Sequence, residues 1–324
     1  MNTNAVLGAA CAAAALACAP AIAQTTAYPS KTVRVVIAWP PGGANDLAGR
    51  VIFQRLSQQL GQQFVIDNRA GAAGTIGADI VAKSPADGYT VLVHSTTHVS
   101  NPWLYKSLPY DTMKDFAPVT LLVNQPSVLT VHPSLPVKTV KELIALAKAR
   151  PGQLNYSSSG NGSAPHLNMA LFEEMAKVKF THVPYKGGAP SVTAVLSGEA
   201  QVLYGTLASM MAQIQAGKLR AIAVSASQRL KTVPQLPTMA EAGVPGYDMN
   251  AWVGLLAPAN TPRDVIEKLH REIAKVQQMP DIIQTLGTQG AEPWLTTPDQ
   301  FAKRLREDHE KYGRLVKLTG AQAN

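Results

Sequence analysis

The stretch VRVVIAW, residues 33–39, runs into Pro40, Pro41, Gly42 and Gly43, and an apolar pattern of helical spacing begins at once at Ala44. The first part reads as a buried strand, because a short apolar run bounded by Pro and Gly has no room for a helix. The second reads as a helix over Ala44–Leu60, with Leu47, Val51, Ile52, Leu56 and Leu60 on one side and Gly61 as its stop. A strand that feeds a helix through a tight glycine turn must lay that helix back across a sheet, which points to an α/β fold. The same junction aims free backbone N–H groups outward, an arrangement suited to holding an anion.

The pattern repeats along the chain. Strand Phe64–Asp67 leads into NRAGAAGTIGADIVAK, a second glycine-rich start to a helix, and PADG turns into strand Tyr89–His94, which is expected to end in a polar loop, STTHVSNP. Two adjacent strands in FAPVTLLVNQPSVLTVHP, separated by NQP, read as a crossing into a second unit. That unit holds helix Thr139–Ala149, strand Gln153–Ser157, loop SSGNGSAP and helix His166–Ala176. Strand Thr181–Tyr185, the helix opened by KGGAPSVTAVLSG, strand Gln201–Tyr204, helix Ala208–Ala216 and strand Leu219–Ser225 complete it. A proline-punctuated return precedes strand Trp252–Ala257 and the helices Thr261–Gln278, Asp281–Leu286 and Thr297–Leu318. The expected architecture is two α/β lobes, residues 28–123 with 250–324 and residues 124–249, joined by two crossings. Ligands of such sheets sit beyond the strand C-termini, and a cleft between lobes is a usual place for a small molecule.

Residues 5–19, AVLGAACAAAALACA, are apolar but too short to span a bilayer, and Ala21-Ile22-Ala23 fits a signal-peptidase site. Residues 1–23 are therefore expected to be a signal peptide cleaved near Ala23, with export to the periplasm. Both cysteines, Cys11 and Cys18, fall in that segment, so the mature chain would have neither disulfides nor thiolate chemistry. The net charge of +8 comes from dispersed residues with no Lys/Arg run, which argues against nucleic acid and modestly favours acidic ligands.

Several chemistries are excluded by spacing. PPGGANDLAGR lacks the lysine of a nucleotide-cradling loop, and neither Gly42, Gly43 and Gly49 nor Gly71, Gly74 and Gly77 make a dinucleotide fingerprint. Ser163 in SSGNGSAPH lacks the glycines of a nucleophile elbow, and a helix-capping role near Pro165 competes with the nucleophile reading while remaining compatible with ligand binding. His94 and His98 lie four apart without the glutamate of a zinc helix. Asp46 reads as a turn-fixing carboxylate ahead of a general base. No catalytic set, metal site or cofactor site emerges.

From about Tyr28 onward the chain closely resembles the Bug-type extracytoplasmic solute receptors, the substrate-binding proteins of tripartite tricarboxylate transporters. The resemblance rests on YPSKTVRVVIAWPPGGANDLAGR, VIDNRAGAAGTIGADIVAKSPADGYT, LNYSSSGNGSAPHL, VPYKGGAPSVTAVLSGEA and LPTMAEAGVPGYD, in order. It implies a two-lobed Venus-flytrap of the type II periplasmic-binding-protein plan. It further implies a small-molecule carboxylate clamped by two loops, here Pro40–Asp46 and Ser158–His166, and delivery to membrane permease subunits. Ligand contacts are expected at Trp39, Gly42, Gly43, Asn45, Asp46, Gly74, Thr75, Ser95 and His98 in the first lobe. Ser158, Ser159, Gly160, Ser163, His166, Tyr204 and Thr206 are expected to contribute from the second. Where some relatives place an Asp-Asn pair this chain has Gly205-Thr206, and Trp39 and Trp103 stand where smaller side chains are frequent, which together favour an apolar or aromatic acid over an amino acid. A monomer without cofactor, metal or nucleic acid is expected. An exported hydrolase using Ser163 and His166, and a sensor presenting ligand to a signalling protein, are the competing functions.

Overall fold

The computed structural model describes residues 28–322. The expected signal segment and both cysteines lie outside the described residues.

Eleven strands are present among the described residues: β1 (Val33–Ile37), β2 (Phe64–Asn68), β3 (Thr90–Ser95), β4 (Phe116–Asn124), β5 (Ser127–Val131), β6 (Asn155–Ser158), β7 (Thr181–Pro184), β8 (Val202–Thr206), β9 (Arg220–Val224), β10 (Trp252–Pro258) and β11 (Glu292–Pro293). They form two sheets, ordered β11-β4-β10-β3-β1-β2 and β7-β6-β8-β5-β9. In the first, β1 runs parallel to both β2 and β3, while β10 is antiparallel to β3 and β4. In the second, β6 is parallel to β7 and β8, and β5 is antiparallel to β8 and β9. Each sheet thus contains three parallel strands whose C-terminal ends share one edge. This is the two-sheet α/β architecture expected from the sequence.

The helices between strands follow from local sequence. Helix α1 (Ala44–Leu60) starts after Gly42, whose φ of 79° an L side chain rarely adopts, and stops at left-handed Gly61. Its buried face is Ala48, Gly49, Ile52, Phe53 and Leu56, and Leu47 is 38% exposed. The face is therefore rotated from the one drawn through Leu47. The small residues decide this, because a Cβ on Gly49 would lie only 2.8 Å from Ile37 Cδ1.

A short 3-10 turn, Ala72–Gly74, leads into α2 (Thr75–Ala82). The segment expected to be a polar loop after β3 is instead helix α3 (Thr97–Leu104), with Pro102 inside it. Burial of His98, Val99, Ser100 and Asn101, and the bond from Asn101 Nδ2 to the Ala73 carbonyl at 3.0 Å, outweigh the poor helical propensity of that stretch. The second lobe supplies α4 (Val140–Ala149), α5 (Ala164–Ala176), α6 (Gly188–Leu196) and α7 (Leu207–Gln215). Thr139 and Glu142 close a capping box at the start of α4.

The chain ends in α8 (Arg263–Gln277), α9 (Pro280–Thr288) and α10 (Pro298–Thr319). Helix α10 packs on α3 and β4 of the first sheet's lobe and also on α5 of the second. Along that seam Arg304 reaches Asp308 at 2.7 Å and Asp248 at 2.6 Å, and Asp308 accepts the Trp252 indole N–H at 2.8 Å. The two-residue strand β11 was not legible in the sequence; its Pro293 is tolerated because it lies on the sheet edge.

Candidate functional site

In the first lobe the three parallel strands β1, β2 and β3 deliver the chain to three helix N-termini. The best defined is the 39–46 turn after β1. Asp46, 1% exposed, accepts the Gly42 N–H at 2.8 Å, the Arg50 Nε–H at 2.8 Å and the Asn68 amide at 2.8 Å. Asn68 also donates to the Trp39 carbonyl at 3.0 Å. Burial raises the Asp46 pKa, but these donors outweigh it and leave the carboxyl below its usual range. Asp46 is therefore an ionised brace, unsuited to carrying a proton. It uses the Gly42 N–H internally, so the donors left facing outward are those of the first turn of α1, at Ala44, Asn45 and Asp46. Gly43 and Ala44 are exposed, and the buried Asn45 Oδ1 has no partner.

Trp39 and the second glycine turn flank this corner. The Trp39 ring is half-buried, its Nε1–H is buried without a partner, and it meets the His94 ring edge-on at 6.3 Å. Gly74, with φ of 91°, cannot carry a side chain, because a Cβ would lie 2.4 Å from His94 Nε2. Thr75 starts α2 beside it and is buried. Ser95 and Thr97 hydroxyls meet at 3.1 Å at the end of β3. His98 is fully buried among His94, Tyr110 and Phe116, with both ring nitrogens unpartnered, and burial holds it well below the ordinary histidine range. Trp103 turns away from this corner; its indole N–H donates to the His309 carbonyl at 2.9 Å and its ring covers Gly313.

In the second lobe the corresponding turn follows β6. The Ser158 hydroxyl, fully buried, accepts the Gly160 N–H at 3.1 Å. Ser163 occupies the cap position of α5, but its hydroxyl donates to the Gly160 carbonyl at 2.6 Å and makes no capping bond. The side-chain cap expected for Ser163 is thus replaced by a bond that closes the loop on itself, and Pro165 takes the first turn. His166 Nδ1 accepts the Gly162 N–H at 3.0 Å. With Ser163 turned to Gly160 and His166 turned to Gly162, the nucleophile–base pair that a serine hydrolase needs is not formed. Ser159 is half-buried at the loop surface, and Thr206 is exposed at the start of α7, where it caps Ser209. Tyr204 lies beneath, fully buried and stacked on Tyr247 at 6.2 Å. A Cβ on Gly162 would lie 2.9 Å from Leu104 of α3 and 3.6 Å from Ala321, so the second-lobe turn abuts the first lobe.

Each lobe thus carries one glycine turn that is braced from behind, opens onto a helix N-terminus and holds no Lys or Arg of its own. The family model described as "Tripartite tricarboxylate transporter family receptor" matches residues 48–321. The chain belongs to that receptor family. Protein BugT of Bordetella pertussis is 36% identical over 320 residues, covering 98% of this chain and 97% of its own. A Rhodopseudomonas palustris receptor, MatC, solved with bound malate, is 31% identical with a TM-score of 0.70, over 89% of this chain and 100% of its own. An R. palustris protein solved with adipate is 36% identical with a TM-score of 0.75, over 91% of this chain and 100% of its own. Of the groups bracing these turns, Asn68, and His182, whose Nε2 lies 2.6 Å from the Ser158 hydroxyl, were not expected from sequence.

Proposed function

We propose that the protein is a periplasmic receptor that captures a small organic carboxylate between its lobes and passes it to the permease subunits of a tripartite transporter. The observation that carries this is the pair of braced glycine turns, 39–46 and 158–166, on the parallel-strand edges of the two sheets. In this reading the lobes are residues 28–123 with 250–324 and residues 124–249, and residues 1–23 are removed on export. The carboxylate lies against the first N–H groups of α1 and α5, an interaction of about 0.3–1 kcal/mol per exposed helix end and more once water is excluded. Gly43, Asn45, Ser159, Ser163 and Thr206 contact the ligand, with Trp39, Gly74, Thr75 and Ser95 forming the wall of the first lobe. Gly42, Asp46, Ser158, Gly160, His166, His98 and Tyr204 shape those walls from within. The bonding of Ser163 and His166 supports a receptor over a hydrolase, and the chain acts as a monomer without catalysis.

The relatives solved with adipate and malate support a carboxylate, and Gly205-Thr206, which offers no acid to an amino group, favours an apolar or aromatic acid over an amino acid. A thermal-shift screen of the cleaved protein against mono-, di- and tricarboxylates and acidic amino acids tests this. A ligand at a hundred times its Kd adds about 2.7 kcal/mol. Stabilisation by organic acids without turnover is the expected result; no shift with any acid, or tight binding of glutamate or aspartate, contradicts it.

A further inference from the structure

Behind the second-lobe turn lies a stack of three rings. His182, on β7, places Nε2 2.6 Å from the Ser158 hydroxyl. Its ring lies 4.1 Å from that of His166 at an interplanar angle of 15° and 4.7 Å from that of Tyr156, which is itself 6.5 Å from His166. Ser158 and His166 are the two side chains that take the Gly160 and Gly162 N–H groups. One imidazole therefore contacts both groups that shape the turn, while itself lying outside it.

We propose that His182 is a positioning residue for anion capture: by bonding Ser158 and stacking on His166 it holds the 158–163 turn in its binding shape, and protonation of His166 releases that turn. The proposal rests on the reading of this turn as half of the carboxylate clamp.

The chemistry is set by the direction of one bond. Gly162 N–H donates to His166 Nδ1, so that nitrogen must carry a lone pair and any ring proton must sit on Nε2. A proton on Nδ1 would set N–H against N–H and push Gly162 away. Two imidazolium rings cannot share a stack this close, so His182 also resists charging of its neighbour. Burial, and then His182, depress the His166 pKa to about 4. The titratable and charged groups facing the pair are Tyr156 of β6, Glu173 and Glu174 of α5, and Lys179 before β7; α10 contributes only Leu318 and Thr319. Glu173 is engaged by the Phe180 N–H at 2.6 Å and Glu174 lies 3.4 Å from Arg314. Tyr156, Glu173, Glu174 and Lys179 line, with both imidazoles, a cavity of about 420 Å³ that is open to solvent. The sign follows: the turn is intact while His166 is neutral, and is lost as pH falls through about 4.

The test begins with ligand-free protein. Imidazole nitrogen shifts and the Gly162 amide are followed by NMR from pH 7.5 downward. His166 is expected as the Nε2–H tautomer, titrating together with the Gly162 amide well below the ordinary histidine range. In His182→Gln, which keeps a polar group at Ser158 but removes the second imidazole, that midpoint moves up towards the ordinary value. Affinity is then measured by calorimetry for the acid giving the largest shift in the screen, with wild type and variants side by side so that the acid's own ionisation cancels. His182→Ala is expected to bind about tenfold more weakly at pH 7.5 and His182→Gln within about threefold of wild type. An unshifted His166, a Gly162 amide that ignores it, or a folded His182→Ala with wild-type affinity would overturn the proposal. If no acid binds wild type while the NMR titration behaves as described, the clamp reading fails and takes the proposed role with it.

Discussion

Asp46 shows how a single buried charge can fix a glycine turn from within. Its carboxylate collects a backbone N–H, a guanidinium and an amide, and so fixes Gly42 relative to α1. Asp46→Ala is expected to lower stability by about 1–3 kcal/mol, because three donors lose a charged acceptor. Its folded-state pKa is depressed, so this contribution is complete above the unfolded value of about 4 and is lost as pH falls through the lower folded value. Denaturant titrations of wild type and Asp46→Asn at pH 7 and pH 3 should accordingly converge in acid; a gap of constant size would argue against the charge. Ser163→Ala removes the bond to the Gly160 carbonyl and a hydroxyl at the mouth of the turn, but no helix cap. Acid affinity is expected to fall severalfold with melting temperature nearly unchanged, read by calorimetry and thermal shift together. Gly42, Gly43 and Ser163 could be picked out from sequence because a glycine junction before a helix has few purposes. His182 could not, since a histidine in an ordinary strand pattern does not reveal that its ring supports a loop formed some twenty residues earlier. The burial of His98 was equally hidden, because its aromatic neighbours Tyr110 and Phe116 are brought up only by the fold.

At the scale of the element, the strand–helix junctions shape the proposed site. Helices α1, α2 and α5 each begin where a parallel strand ends, and small residues let them approach closely. A Cβ on Gly77 would lie 3.0 Å from Ala38 Cα and from the Arg69 carbonyl, both backbone atoms that cannot swing aside. Gly77→Ala should therefore cost about 1–3 kcal/mol, seen as a lower urea midpoint with an unchanged slope. Gly205 differs, because the atoms crowding its Cβ position belong to the flexible Met210 side chain. Strand and helix order was legible because periodicity reports which face is buried, and α1 was bounded correctly by Gly43 and Gly61. Helix α3 was missed because STTHVSNP favours turns locally, and only packing against Ala73 and the aromatic cluster makes it helical. The α1 face was drawn through Leu47 because hydrophobicity alone cannot report that Ala48 and Gly49 permit the closer approach.

The whole molecule depends on the seam along which α10 joins both lobes. Arg304, Asp248 and Asp308 meet there, with Lys311 2.8 Å from Asp308 and Trp252 bonded to it. Burial lowers the Arg304 pKa, but Asp308 and Asp248 more than offset it, so the guanidinium stays charged. Arg304→Ala would leave Asp308, 1% exposed, with only Lys311 and the Trp252 N–H as partners, at a cost of about 1.5–3 kcal/mol. Equilibrium unfolding measures that loss; one below about 1 kcal/mol would assign the seam's strength to its apolar packing instead. A clamp anchored along one seam can close on a ligand that bonds to both turns at once, because only the closed state offers both sets of donors. The most direct measurement is a crystal structure of the protein with the acid that stabilises it most. The carboxylate is expected within hydrogen-bonding distance of the first N–H groups of both α1 and α5, with the lobes drawn together. A carboxylate seated away from either turn, or bound with only one lobe in contact, would contradict the account.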